Sequence, residues 1–409
     1  MVEKEIKLYN YRWIVLLVYA VINIVVQIQW LTFATIAREA KIVYEATSLQ
    51  IDFFSLIYMI VFLIVCVPAS YVIDTYGIKI GIGIGALLTG VFGLVKGIYA
   101  TDYTIVAISQ VGLAIAQPFV LNAATKLSSR WFPPKERATA VGIATLSQFI
   151  GILIVMIATP LMISKTPEGI YDISSMMMTW GIISAIASII LLIFLKESPP
   201  TPPVIGEEEN RFEVFKGIKH IFKNKDMLYL MVFFFIGLGI FNAISTCIDQ
   251  LCQTKGLSIE ETGLVGGIML IAGIIGAAVI PIFSDKSLKR KPFLIVGMIG
   301  TTIGLIGLTF STDYLFALVF SFILGFFLLG VSAPIGFQYS AEISNPAPES
   351  TAQGLVLLAG QISGIIFIFG INKFGITSFL FAFILLMLIN ILISFVIKES
   401  PISQNQEKY

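Results

Sequence analysis

The chain has 409 residues, 57% of them hydrophobic and only 12% Asp, Glu, Lys or Arg, with a formal net charge of +1. Water-soluble domains carry about twice that share of charge, and a bilayer span takes roughly 20 mostly apolar residues. About a dozen segments of that length fill the chain, so a sizeable soluble domain is excluded and the fold class is an all-α membrane protein of twelve transmembrane helices.

Spans are predicted at 12–36, 51–73, 79–100, 103–126, 137–162, 174–195, 226–251, 262–284, 292–311, 313–340, 350–373 and 376–397. The polar start runs straight into the first span, Trp13 to Ala37, with no small-residue cleavage site, so no cleavable signal peptide is expected. On that span Asn23, Gln27 and Trp30 are spaced i, i+4, i+7 and share one face. Asp74-Thr-Tyr-Gly77-Ile-Lys79 follows span two. Span three carries Gly81, Gly83, Gly85 and Gly90, a pattern for close helix packing. On span four Gln110 and Gln117 are seven apart and share a face, and Arg130-Trp-Phe-Pro133-Pro-Lys-Glu136-Arg137 leads into span five with its Gln148. A Pro followed by Glu starts a helix well, because Pro tolerates the first turn and Glu favours the positive end of the dipole.

After span six, crowded prolines and Glu207, Glu208 and Glu209 mark a linker. Phe212, Phe215, Ile218 and Phe222, with Lys216, Lys219 and Lys223 between them, then predict an amphipathic helix on the membrane surface, read as a structural joint. The expected division is 1–195, a linker at 196–225, and 226–409. In the second half, span seven carries Asn242, Ser245 and Thr246, span ten Gln338 and span eleven Gln361. Asp285 follows span eight as Asp74 follows span two; Pro346-Ala-Pro-Glu349 echoes Pro133-Pro-Lys-Glu136; Gln361-x-x-Gly364 echoes Gln148-x-x-Gly151. Two pseudo-symmetric six-helix bundles imply a substrate site near the midplane and alternating access.

With both termini on one side, 20 of the 26 Lys and Arg fall on that side, and the positive-inside rule makes it cytoplasmic. The expected location is the cell membrane. Asp52, Asp74, Asp249, Asp285 and Glu342 all lie near span ends, whereas a proton-driven carrier usually needs a titratable group inside the membrane. Glu342 is the one carboxylate kept as a candidate for that role. Cys66, Cys247, Cys252 and the single His220 form no ligand set, so neither a metal nor any other cofactor is expected. Uncharged amides remain, and in hydrocarbon they must face partners or a water-filled cavity. Each has a structural alternative as an interhelical hydrogen bond worth roughly 0.6 kcal/mol, and Trp30 has one in the interfacial aromatic belt.

Arg130-Trp-Phe-Pro-Pro-Lys-Glu-Arg-Ala-Thr-Ala-Val-Gly142 resembles the loop between spans four and five of major facilitator superfamily carriers, and Asp74-Thr-Tyr-Gly77-Ile-Lys79 resembles, loosely, their signature after span two. A closer resemblance is to the feline leukaemia virus subgroup C receptor-related solute carriers. It is carried by Gln29-Trp30, Ile51-Asp52 with Tyr58-Met59, Ala116-Gln117-Pro-Phe119, Gly325-Phe-Phe-Leu-Leu-Gly330, Gly336-Phe337, Ala341-Glu342-Ile343 and Gln361-Ile-Ser-Gly364. The resemblance implies the superfamily fold and a substrate class of choline and ethanolamine, with haem also proposed for the family. The relatives' choline site combines a Trp on span one, a Tyr on span seven and glutamines on spans four and eleven. By motif these imply Trp30, Gln117 and Gln361, while Asn242 stands where those relatives have tyrosine. A second ring would have to come from Phe241 or Tyr339. An amide at 242 suits a primary amine or a more polar solute better than a trimethylammonium.

The expectation is a secondary transporter, not an enzyme, and a uniporter of an amine or organic cation such as choline or ethanolamine. The alternative is a proton-coupled exporter or a carrier of a neutral or anionic metabolite. The substrate residues expected are Trp30, Gln117, Asn242, Gln361, Gln27, Asn23, Gln148 and Gln338, and the gating or structural loop residues Asp74, Gly77, Arg130, Glu136, Arg137 and Asp285. The partners are a small-molecule solute and the lipid bilayer, without nucleic acid, with the chain as a monomer.

Overall fold

The computed structural model describes residues 8–165, 171–201, 219–287, 289–344, 347 and 349–400. Most of the predicted linker helix, from Phe212 to Ile218, lies outside the described residues. Among the described residues, twelve helices are long and apolar enough to cross a bilayer, and the chain divides into two compact units, 1–209 and 210–409.

In the first unit the spans are Tyr11–Leu31, Ser48–Tyr76, Ile78–Ile98, Tyr103–Leu121 continuing as Ala124–Trp131, Pro134–Met162 and Ser174–Phe194. Span one stops at Leu31, short of the predicted 36. The Thr32 hydroxyl donates to the Ile28 carbonyl at 2.7 Å, and two successive turns lead into a short helix, Ala37–Tyr44, that periodicity did not predict. A two-residue hairpin, Ser164–Lys165 against Tyr171–Asp172, joins spans five and six. Span four is interrupted after Pro118, and the Asn122 amide at the break donates to Cys66 O at 3.1 Å and Ser70 Oγ at 3.0 Å, tying it to span two. Span one is the buried member. Val15, Leu16, Tyr19, Ile22 and Val26 pack in one core with Ile78, Ile82, Val120, Leu127, Ala144 and Leu191 of spans three, four, five and six.

In the second unit the spans are Lys225–Thr246, Ile259–Ser287, Lys291–Phe310, Tyr314–Ser344, Glu349–Phe374 and Ile376–Val396. Span seven ends at Thr246 rather than 251, because the helix breaks at Cys247 before a short turn, Ile248–Gln253.

The helix starts reveal how alike the two units are. The first N–H groups of any helix lack intrahelical partners, and both units supply those partners in the same order. Span two begins with a capping box, in which Gln50 N donates to Thr47 Oγ1 at 3.3 Å and Thr47 N to Gln50 Oε1 at 2.8 Å. Span eight begins with the same device, Glu261 N to Ser258 Oγ at 3.2 Å and Ser258 N to Glu261 Oε2 at 2.8 Å. Asp102 accepts from Thr104 N and Ile105 N to start span four, and Asp313 accepts from Phe316 N to start span ten.

Small residues then let the helices approach within each unit. A Cβ on Gly181 would stand 2.6 Å from Gly93 O, where spans three and six cross, and one on Gly325 would stand 1.9 Å from Met269 O, where spans eight and ten cross. Gly354, by contrast, faces open space. Gly325→Ala is therefore expected to cost about 1–3 kcal/mol by overpacking and to lower the unfolding temperature in detergent. Gly354→Ala, inside a helix and facing open space, should not lower that temperature.

Candidate functional site

In the first unit the amides of the spans sort by whether their hydrogen bonds are already used. The Gln29 Nε2 donates to Ser184 Oγ at 2.7 Å and Trp180 O at 3.2 Å, so this side chain joins spans one and six. Its Oε1 is buried without a partner. Gln110 is committed through both amide atoms: its Oε1 accepts from Tyr58 Oη at 3.3 Å and its Nε2 donates to Phe54 O at 3.2 Å and Gln29 O at 3.5 Å. Gln117 differs. Only 6% exposed, it hydrogen-bonds to no described residue. The shared face read for Gln110 and Gln117 thus splits into a packing amide and an open one.

Hydrogen bonds across the unit set its levels. Tyr19 Oη donates to Val120 O at 2.6 Å, and Gln110 pairs near Gln29, so spans one and four run antiparallel in contact. Asn23 lies one turn beyond Tyr19 and Gln117 one turn beyond Val120 in the same direction, so the two amides lie at one height. Asn23 is fully buried; its Nδ2 donates to Tyr19 O at 2.8 Å, and its Oδ1 has no partner. Gln27, one turn further along, places Nε2 3.5 Å from Gln148 Oε1 of span five, and its Oε1 is likewise buried without a partner. A Cβ on Gly151 would lie 2.4 Å from Ile24 O, which shows how closely spans one and five cross here. Gln27 and Gln148 therefore meet between spans one and five, with Asn23 one turn earlier on span one and Gln117 at the height of Asn23 on span four. Trp30 sits on the same face of span one but about 10 Å further along. Its Nε1 donates to Ser55 O at 3.1 Å, and Ser55 Oγ returns a bond to Trp30 O at 3.1 Å. This pair fixes the ring and uses its one donor.

In the second unit, Asn242 reaches the backbone of span eleven beside Gln361. Asn242 Nδ2 donates at 3.3 Å to the carbonyl of Gly360, the residue before Gln361. The crossing of spans seven and eleven is tight, since a Cβ on Gly239 would meet Ser363 Oγ at 2.1 Å and one on Gly360 would meet Leu238 Cδ2 at 2.3 Å. Gln361 itself hydrogen-bonds to no described residue. One turn past Asn242, just before the helix break, the buried hydroxyls of Ser245 and Thr246 also lack partners.

The remaining residues cluster at the end of each unit where the basic loops lie. Gly77, at φ +94°, starts span three, and Glu197 caps that start: Ile78 N and Lys79 N donate to its carboxylate at 3.2 and 2.7 Å. A Cβ on Gly77 would strike that carboxylate at 2.3 Å. Arg130 pairs with Glu197 at 3.2 Å, Arg12 with Glu136 at 3.0 Å and Lys126 with Asp74 at 3.0 Å. Arg137 donates to Phe132 O at 3.2 Å and Ser129 O at 3.3 Å, holding the loop before span five. In the second unit Glu399 caps span nine in the same way, accepting from Arg290 N at 2.7 Å and Lys291 N at 3.2 Å. The Arg290 guanidinium then reaches Glu342 at 3.0 Å and Ser284 Oγ at 2.8 Å. Gln338, assigned to substrate from sequence, donates to Glu342 Oε1 at 3.0 Å and is exposed, so the structure puts it in this network. Ser400 Oγ donates to the other Glu342 oxygen at 2.5 Å. Asp285 lies in the last turn of span eight, and its side chain is outside the described residues.

Glu197 and Glu399 were missed from sequence. Their signal was a repeat, Lys196-Glu-Ser-Pro199 after span six and Lys398-Glu-Ser-Pro401 after span twelve, hidden because the first copy reads as linker. Lys96 was missed as a membrane residue: it is fully buried in span three, with Nζ 3.4 Å from Thr32 Oγ1 and 5.6 Å from the Phe33 ring centre.

A family model described as the Major Facilitator Superfamily matches residues 15–368, with an overlapping match at 244–406. Among curated proteins, the chain is 31% identical to "Solute carrier family 49 member A3" of Xenopus tropicalis, over 90% of this chain and 79% of that protein. It is 27% identical to "Choline/ethanolamine transporter FLVCR1" of Felis catus, over 87% of this chain and 66% of that protein. Among solved structures, a bacterial homologue of the human lysosomal transporter Spinster, inward-facing and unoccupied, superposes with a TM-score of 0.72 at 13% identity, covering 96% of this chain and 98% of that one. The D-xylose-proton symporter gives 0.71 at 15% identity, with 95% and 97% covered. At these identities the two structures show the fold.

The Arg290–Glu342 pair gives a stability test. Both side chains are under 10% exposed, at 8% and 3%, and removing one partner of a buried pair costs roughly 3–5 kcal/mol. Arg290→Met is expected to lower the unfolding temperature sharply. Adding Glu342→Met should restore much of the loss, because the double change leaves no unpaired charge.

Proposed function

The chain belongs to the Major Facilitator Superfamily, and on that premise we propose that it is a uniporter of a small amine or organic cation, of the choline and ethanolamine class, working by alternating access. The observation that carries the reading is the set of open amides. Gln117 and Gln361 make no hydrogen bond to described residues, although an unsatisfied amide in hydrocarbon costs several kcal/mol. Their neighbours Gln29 and Gln110 are tied to protein, Gln110 through both amide atoms and Gln29 through its Nε2, with Gln29 Oε1 buried without a partner. Gln117 and Gln361 each keep a whole amide for water or a polar ligand to meet.

Trp30 supplies the cation-binding surface. With its N–H committed to Ser55, the ring offers π faces, each worth up to about 2 kcal/mol to a desolvated cation. The named activity of the FLVCR1 relative supports this class. Asn242, in the place the resemblance gives to a tyrosine, shifts the balance from ring contacts toward amide contacts. Proton coupling finds less support: Glu342, the carboxylate considered for it, is held by Arg290, Gln338 and Ser400. The orientation that fits the charge bias puts both termini and both sets of capped, basic loops in the cytoplasm of a cell-membrane protein, acting as a monomer.

For a cation the membrane potential adds about 2.3 kcal/mol per 100 mV. In proteoliposomes, labelled choline or ethanolamine should enter saturably under an inside-negative potential, and Trp30→Ala should lower uptake by about tenfold or more. A protonophore at clamped potential should change nothing. Collapse of uptake under that condition would instead establish proton coupling.

A further inference from the structure

We propose that Asn23 selects, among amines, those whose ammonium keeps N–H bonds, so that each N-methyl group added to the substrate weakens transport. The inference rests on the reading of the chain as an amine carrier and adds to it one residue and a direction of selectivity. The Asn23 and Gln27 side chains lie on one face of span one, a turn apart, at or near the height of Gln117. Each has a buried carbonyl oxygen with no donor among the described residues. The Asn23 amide cannot be turned over to remove the deficit. Its NH₂ group faces the Tyr19 carbonyl at 2.8 Å, and only a donor can stand there. Gln27 faces Gln148 at 3.5 Å, and turning both amides over together would exchange donor and acceptor, so Asn23 Oδ1 is the open acceptor that the geometry fixes.

The unspent capacity of Asn23 is thus acceptor capacity, at the height of Gln117, whose amide is open in both senses. The Trp30 indole N–H, the donor that could have met an anion or a carbonyl here, is used by Ser55. A buried acceptor left without a donor is costly, and such a group in a native structure points to a missing water, ion or ligand. A primary ammonium brings three N–H donors, whereas a trimethylammonium brings none. Sites built to hydrogen-bond a group reject analogues that lack it, because their own polar atoms are then stranded. Ring contacts with Trp30 alone would favour no member of such a series by its donors. The acceptors would.

The test is uptake of four labelled substrates by the wild-type protein in proteoliposomes at a fixed inside-negative potential: ethanolamine, its N-methyl and N,N-dimethyl derivatives, and choline. The ratio of maximal rate to KM should fall along the series, by at least about tenfold from end to end. Equal ratios, or a ratio that rises toward choline, would overturn the proposal while leaving the amine reading intact. Uptake of none of the four would overturn the amine reading itself. Uptake that depends on sodium but not on methylation would assign the open oxygens to a bound metal ion and likewise overturn the proposal. Asn23→Leu, compared per folded protein, should flatten the series toward a ratio near one; an unchanged series in that variant would remove Asn23 from the selectivity.

Discussion

Hydrocarbon offers no hydrogen bonds, so every polar atom carried into these twelve spans must be met by protein, by water or by a ligand. That single constraint explains most of what is seen. It accounts for capped helix starts, for hydroxyls such as Thr89 and Thr301 folded back onto carbonyls one turn earlier, and for glutamines tied across helices. It also makes the exceptions informative. Gln29 and Gln110 are tied across helices while Gln117 and Gln361 bond to no described residue, and the difference cannot come from composition, since the residue type is the same.

The two units answer the constraint with the same devices at matching places. Thr47 and Ser258 open spans two and eight, Asp102 and Asp313 open spans four and ten, and Glu197 and Glu399 cap spans three and nine. The charges around the last pair are reversed. In the first unit the base Arg130 of span four binds the capping acid, whereas in the second the capped residue Arg290 sends its own side chain to the acid Glu342 of span ten. The helix starts have been kept and the ion pairs exchanged. Away from these ends the halves diverge: the first unit carries Asn23, Gln27, Gln117, Gln148 and Trp30, the second Asn242, Gln361 and the unpartnered hydroxyls of Ser245 and Thr246.

Much of this is legible in the amino-acid sequence. Span number and approximate limits follow from apolar length, because only about 20 apolar residues in a row suit a bilayer. The duplicated loop signals follow from Asp74 and Asp285 and from the two Pro/Glu elements. What escapes are events decided by single hydrogen bonds. Neither the end of span one after Leu31 nor the break at Cys247 has a proline or glycine to announce it. Helical spacing can put Gln110 with Gln117, yet it cannot show that Tyr58 and Phe54 already occupy the former. Gln338 shows the same limit, since a span-ten amide one turn from Glu342 is claimed by that carboxylate. The Lys-Glu-Ser-Pro repeat is visible but sits in a stretch whose prolines suggest only a linker.

The division between engaged and open amides can be tested by one paired measurement: the unfolding temperature and the transport KM of Gln29→Leu, Gln110→Leu, Gln117→Leu and Gln361→Leu, each determined per folded protein. Gln29→Leu and Gln110→Leu are expected to melt earlier with KM unchanged, and Gln117→Leu and Gln361→Leu to melt as the wild type does with KM raised or transport lost. If Gln117→Leu and Gln361→Leu were instead the destabilised pair and still carried substrate normally, the open amides would be structural and the site would have to lie elsewhere.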